Sequence, residues 1–364
     1  MNWEGQKLRE LSNKKGFSLA AIAEQIGVTR QTVNDWIKGQ IPKGNHLLEL
    51  STIFDVSPDI FFNKDISKEI AVPVYRKRRT SKITEDTQET AISLSKDYLN
   101  IFKNHKNDGF VHVIRTKERN RKNAEYYSIK LREFGNIVST TPIDYESTFS
   151  LLSKLGIHVI FRSFPKRLTV YAFFTKITGH RVVFVNNSTN LLDLIFPLLH
   201  EAIHAVRDEH TFEEDTENEK EDEFCELVAG LIQYPRDYLE FVYSTIKDLD
   251  IGFKINTLKN FARNYKHTLF GIVKAIKLYH PEFELEIGAA DTNLRKEFPT
   301  IGDLLYRDNS ILQFIKHQKL WSPLFYSIIR EQIKNISNSK LAEIYEISTL
   351  DAKDLKLEIL SEIE

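Results

Sequence analysis

The 364-residue sequence predicts an α+β protein: a helical N-terminal domain, a small sheet ahead of a buried helix, and a helical C-terminal region. Three observations carry this expectation. Within residues 1–65, short apolar-periodic segments start at Ser or Thr and stop at Gly. β-rich runs cluster between residues 155 and 187. Directly after them, Leu198-Leu199-His200-Glu201-Ala202-Ile203-His204-Ala205-Val206 sets two histidines four residues apart in an apolar run.

Composition narrows the function classes. A net charge of -1 and a pI of about 6.9 exclude a polybasic chain dominated by phosphate contacts. No apolar run approaches a membrane span, and Met1-Asn2-Trp3-Glu4 lacks a signal-peptide pattern, so no membrane association and a cytoplasmic location are expected. The single cysteine, Cys225, rules out an internal disulfide and fits a reducing compartment.

The expected divisions are 1–65, 66–120, 121–240 and 241–364. In the first, a helix is expected over Trp3 to Lys14. Ser18 then caps Leu19 to Ile26, Gly27 turns the chain, and Thr29 caps Arg30 to Lys38, which stops at Gly39. Ile22, Ala23, Ile26, Val28, Val33 and Trp36 fall where two crossing helices must touch, with small Ala23 permitting close approach. Further helices are expected over Leu47 to Phe62.

Residues 1–64 resemble the helix-turn-helix of the XRE (phage Cro/repressor-like) family. The resemblance implies DNA binding by the second helix in the major groove. By position Arg30, Gln31 and Asn34 would face base edges, while Thr29, Lys38 and Lys43 would serve phosphates. A module this small binds weakly alone, so a homodimer is expected. Acidic and basic side chains cancel over residues 1–65, which leaves a helical pair used for protein contact as the alternative.

Between residues 66 and 150, Val72 to Arg79 reads as an extended piece entering a basic cluster, either a phosphate contact or a solvated linker. Residues 84–105 and 118–134 read as amphipathic helices separated by Asn107-Asp108-Gly109. Strands are expected at Leu155 to Phe161, Leu168 to Thr175 and Arg181 to Asn187. An edge strand beside the histidine helix would hold an extended peptide by backbone pairing.

On a helix, residues i and i+4 lie one above the other, so His200 and His204 can offer two imidazole nitrogens to one Zn²⁺. Zinc lowers the pKa of a bound water and polarises a carbonyl, and Glu201 is placed as the general base. That is the chemistry of a zinc peptidase. The plainer alternative is a buried helix with two satisfied histidines. Residues 209–223 are strongly acidic, and the following helix presents Cys225, Val228, Ala229 and Ile232 inward. Asp222, one turn before Cys225, therefore points the same way and is the candidate third ligand, with Glu221 as the fallback. The alternative is an acidic first turn that only favours the helix dipole. Cys225 itself reads as a small core residue rather than a ligand. The oxyanion-stabilising group is not identifiable; Tyr171 and His158 are candidates.

Tyr126 to Phe134, Pro142-Ile143, Leu151 to Ile157, the strand ending at Asn186-Asn187 and the His-Glu-x-x-His motif together resemble the ImmA/IrrE metallopeptidase family, here fused to the XRE module. The resemblance implies a cytoplasmic zinc protease that cleaves a regulator such as a repressor, controlling stress or mobile-element genes. It places the family's third-ligand glutamate at Asp222 and its usual asparagine at Glu226, both departures. No third histidine follows at metzincin spacing.

Beyond residue 240, Ile255 to Leu278 reads as helical and is expected to pack behind the histidine helix. Further helices are expected near 310–335 and 338–361, with Trp321-Ser322-Pro323 between them. Two other functions fit: a DNA-binding regulator with an inactive peptidase domain, or one component of a toxin-antitoxin or phage-defence pair that binds a cognate protein.

Overall fold

A computed structural model of the chain describes residues 2–54, 61–63, 70, 74–75, 85–105, 114, 116–207, 215–307 and 310–363. Arg76 to Arg79, Asn107 to Gly109, Arg115, Glu213 and Glu214 lie outside the described residues. The chain separates into two compact units, residues 1–69 and 70–364. The boundaries expected at 120/121 and 240/241 fall inside the second unit.

The first unit holds α1 (Gly5–Lys15), α2 (Leu19–Ile26), α3 (Arg30–Ile37) and α4 (Gly44–Phe54). Asn2–Trp3 (β1) pairs antiparallel with Phe62–Asn63 (β2). The helix expected from Trp3 therefore starts at Gly5, and Phe62 is in a strand. Gly5 itself has no room for a side chain, because a Cβ would meet the Trp36 carbonyl oxygen at 2.3 Å. Ser18 accepts a hydrogen bond from Ala21 N, and Gly27 ends α2 at φ 72°, a left-handed conformation that glycine adopts without strain. Leu8, Ile22, Ala23, Ile26, Val33, Trp36, Leu50 and Phe54 close the core of this unit.

The second unit is built around a sheet of order β3 (Val74–Tyr75), β5 (Ala172–Ile177), β6 (His180–Asn186) and β4 (Ile157–Arg162). β4 runs parallel to β6; the other pairings are antiparallel. The strand expected from Leu168 begins only at Ala172. Side chains alternate between faces. Val159, Phe161, Ala172, Phe174, Val183 and Val185 join one core, while Ile160, Phe173, Ile177, Val182 and Phe184 join another. Burial on both faces explains why β4 and β6 read as continuous apolar runs rather than alternating ones.

The first face is covered by α7 (Arg121–Gly135), α8 (Tyr145–Lys154), α9 (Ile195–Val206) and α10 (Asp215–Gln233). The second is covered by α5 (Glu85–Lys96), α6 (Leu99–Lys103), α16 (Ile311–Trp321), α17 (Pro323–Gln332), α18 (Asn338–Tyr345) and α19 (Thr349–Ser361). Between them in sequence, α11 (Arg236–Ile246), α12 (Ile251–Tyr265), α13 (Leu269–Lys277), α14 (Ala290–Arg295) and α15 (Ile301–Tyr306) follow. The single helix expected over Ile255 to Leu278 is two, broken at Lys266, whose φ is 55°. Leu258, Ala262 and Ile272 pack with Tyr238, Leu239 and Val242 in a third core instead of behind the histidine helix. Among the described residues no helix is long and apolar enough to cross a membrane.

Candidate metal centre and nucleic-acid interface

The histidine helix α9 is apolar nearly all round, with Ile195, Leu198, Leu199, Ala202, Ile203, Ala205 and Val206 buried, as expected for a helix enclosed by other elements. Pro197 sits in its first turn, where a missing N–H costs nothing. Each fully buried Leu or Ile contributes about 1.5–3 kcal/mol, so the helix is rigidly seated before its polar residues are considered. His200 and Glu201 are buried on it, and His204 is half-buried.

His200 Nε2 and His204 Nε2 lie 3.1 Å apart. Asp222 Oδ1, from α10, lies 3.1 Å from the first and 3.3 Å from the second. These three atoms form a nearly equilateral triangle. Zinc bonds of about 2.0–2.1 Å at a tetrahedral centre place ligand atoms about 3.3–3.4 Å apart, so the donor set fits such an ion. The Asp222 side chain is 34% exposed against 1% for His200, which opens the site on the Asp222 side. Burial raises the Asp222 carboxyl, but hydrogen bonds and charge from His200 and His204 outweigh it and hold it below the usual carboxylate range.

Glu221 faces away from this triangle. Its Oε2 accepts from Arg119 Nε at 2.6 Å and its Oε1 from Arg207 Nε at 2.6 Å, with Arg207 Nη2 at 3.0 Å from Oε2. Burial raises its carboxyl, and the two arginines reverse this and lower it. The Cys225 thiol is fully buried, 3.5 Å from His204 Nδ1 and 3.8 Å from Glu221 Oε1. Burial first, then the Glu221 charge, push the thiol pKa up.

Glu201 Oε2 accepts a hydrogen bond from Phe174 N at 2.9 Å, which anchors its carboxylate to β5. β5 is not a free edge: Val74–Tyr75 pairs with it at Phe174 and Phe173, and Ile70 bridges to Ile177. The expectation of an open edge strand beside α9 is corrected accordingly. His158 packs against Phe102 and His180 on the sheet's other face, away from the triangle. The Tyr171 carbonyl accepts a hydrogen bond from Asn186 N. Sequence reasoning missed Arg119, Arg207 and the Phe174 N–H, because their partners are distant in the chain and leave no periodic signal.

In the first unit, Thr29 caps α3 by accepting from Thr32 N at 3.1 Å. Thr29, Arg30, Gln31 and Lys38 are exposed and Asn34 is half-buried on or at the ends of α3, while Lys43, also exposed, directly precedes α4. Gln31 Nε2 donates to Asp35 Oδ1 at 2.8 Å, an i,i+4 pair that uses one of its two N–H groups.

Residues 6–61 match the model of the helix-turn-helix family. This assigns the first unit as a helix-turn-helix domain and supports a DNA-binding regulator. No match to the ImmA/IrrE peptidase family accompanies it. No curated protein matches the chain.

Proposed function

We propose that the protein is a DNA-binding zinc metallopeptidase that cleaves a cytoplasmic regulator, a repressor or antitoxin, and binds DNA as a homodimer through its helix-turn-helix. The observation that carries the peptidase half is the triangle of His200 Nε2, His204 Nε2 and Asp222 Oδ1 on the helix that also bears Glu201. His200, His204 and Asp222 would hold the ion. Zinc bound there supplies Lewis-acid polarisation of the scissile carbonyl and a lowered pKa for water.

The chain's own residues do the rest. With Nε2 of each histidine turned into the triangle as a lone-pair donor, the ring proton belongs on Nδ1, and for His204 that nitrogen meets the Cys225 sulfur. Glu201 takes the proton from the attacking water and delivers it to the leaving amine nitrogen. The Phe174 N–H fixes that carboxylate while the transfer occurs. In the first unit, Arg30, Gln31 and Asn34 read bases, and Thr29, Lys38 and Lys43 hold phosphates. Tethering places the peptidase at an operator, or beside a repressor carrying a related domain.

Glu201→Gln tests the mechanism. Zinc-loaded protein is incubated with a quenched-peptide library and with helix-turn-helix repressors; the variant should keep its metal and lose cleavage, whereas undiminished cleavage contradicts the role of Glu201. One observation favours a second reading, a regulator whose peptidase domain only binds a partner: β5 is already paired over Val74–Tyr75, where a substrate strand would dock. Stoichiometric zinc with no Glu201-dependent cleavage of any peptide supports that reading.

A further inference from the structure

We infer that Glu221, gripped by Arg119 and Arg207, is a positioning residue that draws α10 toward α9 so that an aspartate, one methylene shorter than a glutamate, completes the metal site. The inference rests on the reading of His200, His204 and Asp222 as a metal site.

The geometry ties the two helices at one point. Arg207 is the residue that ends α9, and Glu221 immediately precedes Asp222 on α10. Their contact is bidentate, with Oε1 on Nε at 2.6 Å and Oε2 on Nη2 at 3.0 Å. Arg119 adds a third charged hydrogen bond at 2.6 Å. The side chains of Arg119, Glu221 and Arg207 are only 12%, 13% and 5% exposed, so water screens these bonds little.

Arg207 is itself held. Arg207 Nη1 donates to Thr116 O at 3.0 Å, its guanidinium lies 5.0 Å over the Phe224 ring, and Ile114 N donates to Val206 O at 3.1 Å. The clamp is thus a fixed anchor rather than a mobile surface pair. Its second effect runs through Cys225, one turn after Glu221: the thiol sits between Glu221 Oε1 and His204 Nδ1 and orients the second histidine. One carboxylate therefore sets the reach of Asp222 and the ring of His204.

A double-mutant cycle read as the Zn²⁺ dissociation constant, by competition with a chromophoric chelator, tests this on the full chain. Glu221→Gln is expected to weaken zinc binding by about 10- to 100-fold. Asp222→Glu is expected to weaken it in the intact clamp, where the longer side chain overshoots, and to strengthen it in the Glu221→Gln background, where α10 relaxes outward. A buried pair with a merely structural role gives Asp222→Glu the same sign in both backgrounds, and that result overturns the inference. If Glu221→Gln does not fold by circular dichroism, Arg119→Gln removes one arm and should still weaken zinc binding; unchanged affinity there overturns the inference. Zinc binding that is lost in Asp222→Ala but unchanged in Glu221→Gln defeats the clamp and leaves the metal site standing. No zinc binding by the wild type defeats the metal site itself, and the clamp with it.

Discussion

Lowering the pH from about 7.5 to about 5 is expected to destabilise the second unit through two buried imidazoles. His158 lies between Phe102 and His180, at ring-centroid distances of 5.1 and 5.3 Å, and burial, followed by the nearby His180 and His105, lowers its pKa to about 3. His267 is fully buried, with Nε2 2.9 Å from the Ile143 carbonyl, and burial lowers its pKa to about 4 despite that bond. Both folded values lie below the unfolded value of 6.5. In the window between them the unfolded chain binds more protons than the native one, so stability falls as pH falls. At pH 5 each histidine costs about 2 kcal/mol relative to neutral pH, or about 4 kcal/mol together, from 1.36 kcal/mol per pH unit. That corresponds to a drop in Tm on the order of 5–10 °C. Carboxylates held low by cations, such as Glu221, push the same way, so the diagnostic is a difference between proteins. His158→Phe keeps a similar ring in the same space and should lose about 2 kcal/mol less than wild type over this interval, measured by urea unfolding at each pH. Equal losses in the two proteins would refute the argument that His158 is held neutral by burial.

Three further outcomes follow from the same structure. Arg30→Ala should weaken binding to a selected operator by about 1–3 kcal/mol at fixed salt without changing Tm, by fluorescence anisotropy; unchanged affinity removes Arg30 from the interface. Thr29→Ala deletes the cap on α3 and should destabilise the first unit by about 1 kcal/mol, read as a lower denaturation midpoint. Chelation should lower the Tm of the second unit, because an ion bound only by the folded triangle stabilises in proportion to the logarithm of its concentration; a Tm indifferent to zinc and chelator speaks against a folded-state site.

Local signals explain what the sequence alone discloses. Ser18, Gly27 and Thr29 punctuate α2 and α3 through bonds to atoms three or four residues away, and all three recur in the structure as caps. The spacing of His200 and His204 is one helical turn, and Asp222 follows from the inward face marked by Cys225, Val228 and Ile232. The contacts that organise the site are not local. Phe174 meets Glu201 across 27 residues and Arg119 meets Glu221 across 102, separations at which one sequence carries no pairing pattern. The same limit applies to residues 311–361, whose amphipathic helices are readable but whose partner, the second face of the sheet, is not. Trp3 shows the converse: its segment is compatible with a helix, and long-range pairing with Phe62 makes it a strand.

The central claim is a metal site made by His200, His204 and Asp222, and elemental analysis of purified wild type and Asp222→Ala after equilibration with zinc tests it most directly. About one zinc per chain in the wild type and its loss in the variant is the predicted result. Wild-type protein that retains no zinc, or a variant that retains as much as the wild type, would contradict the account.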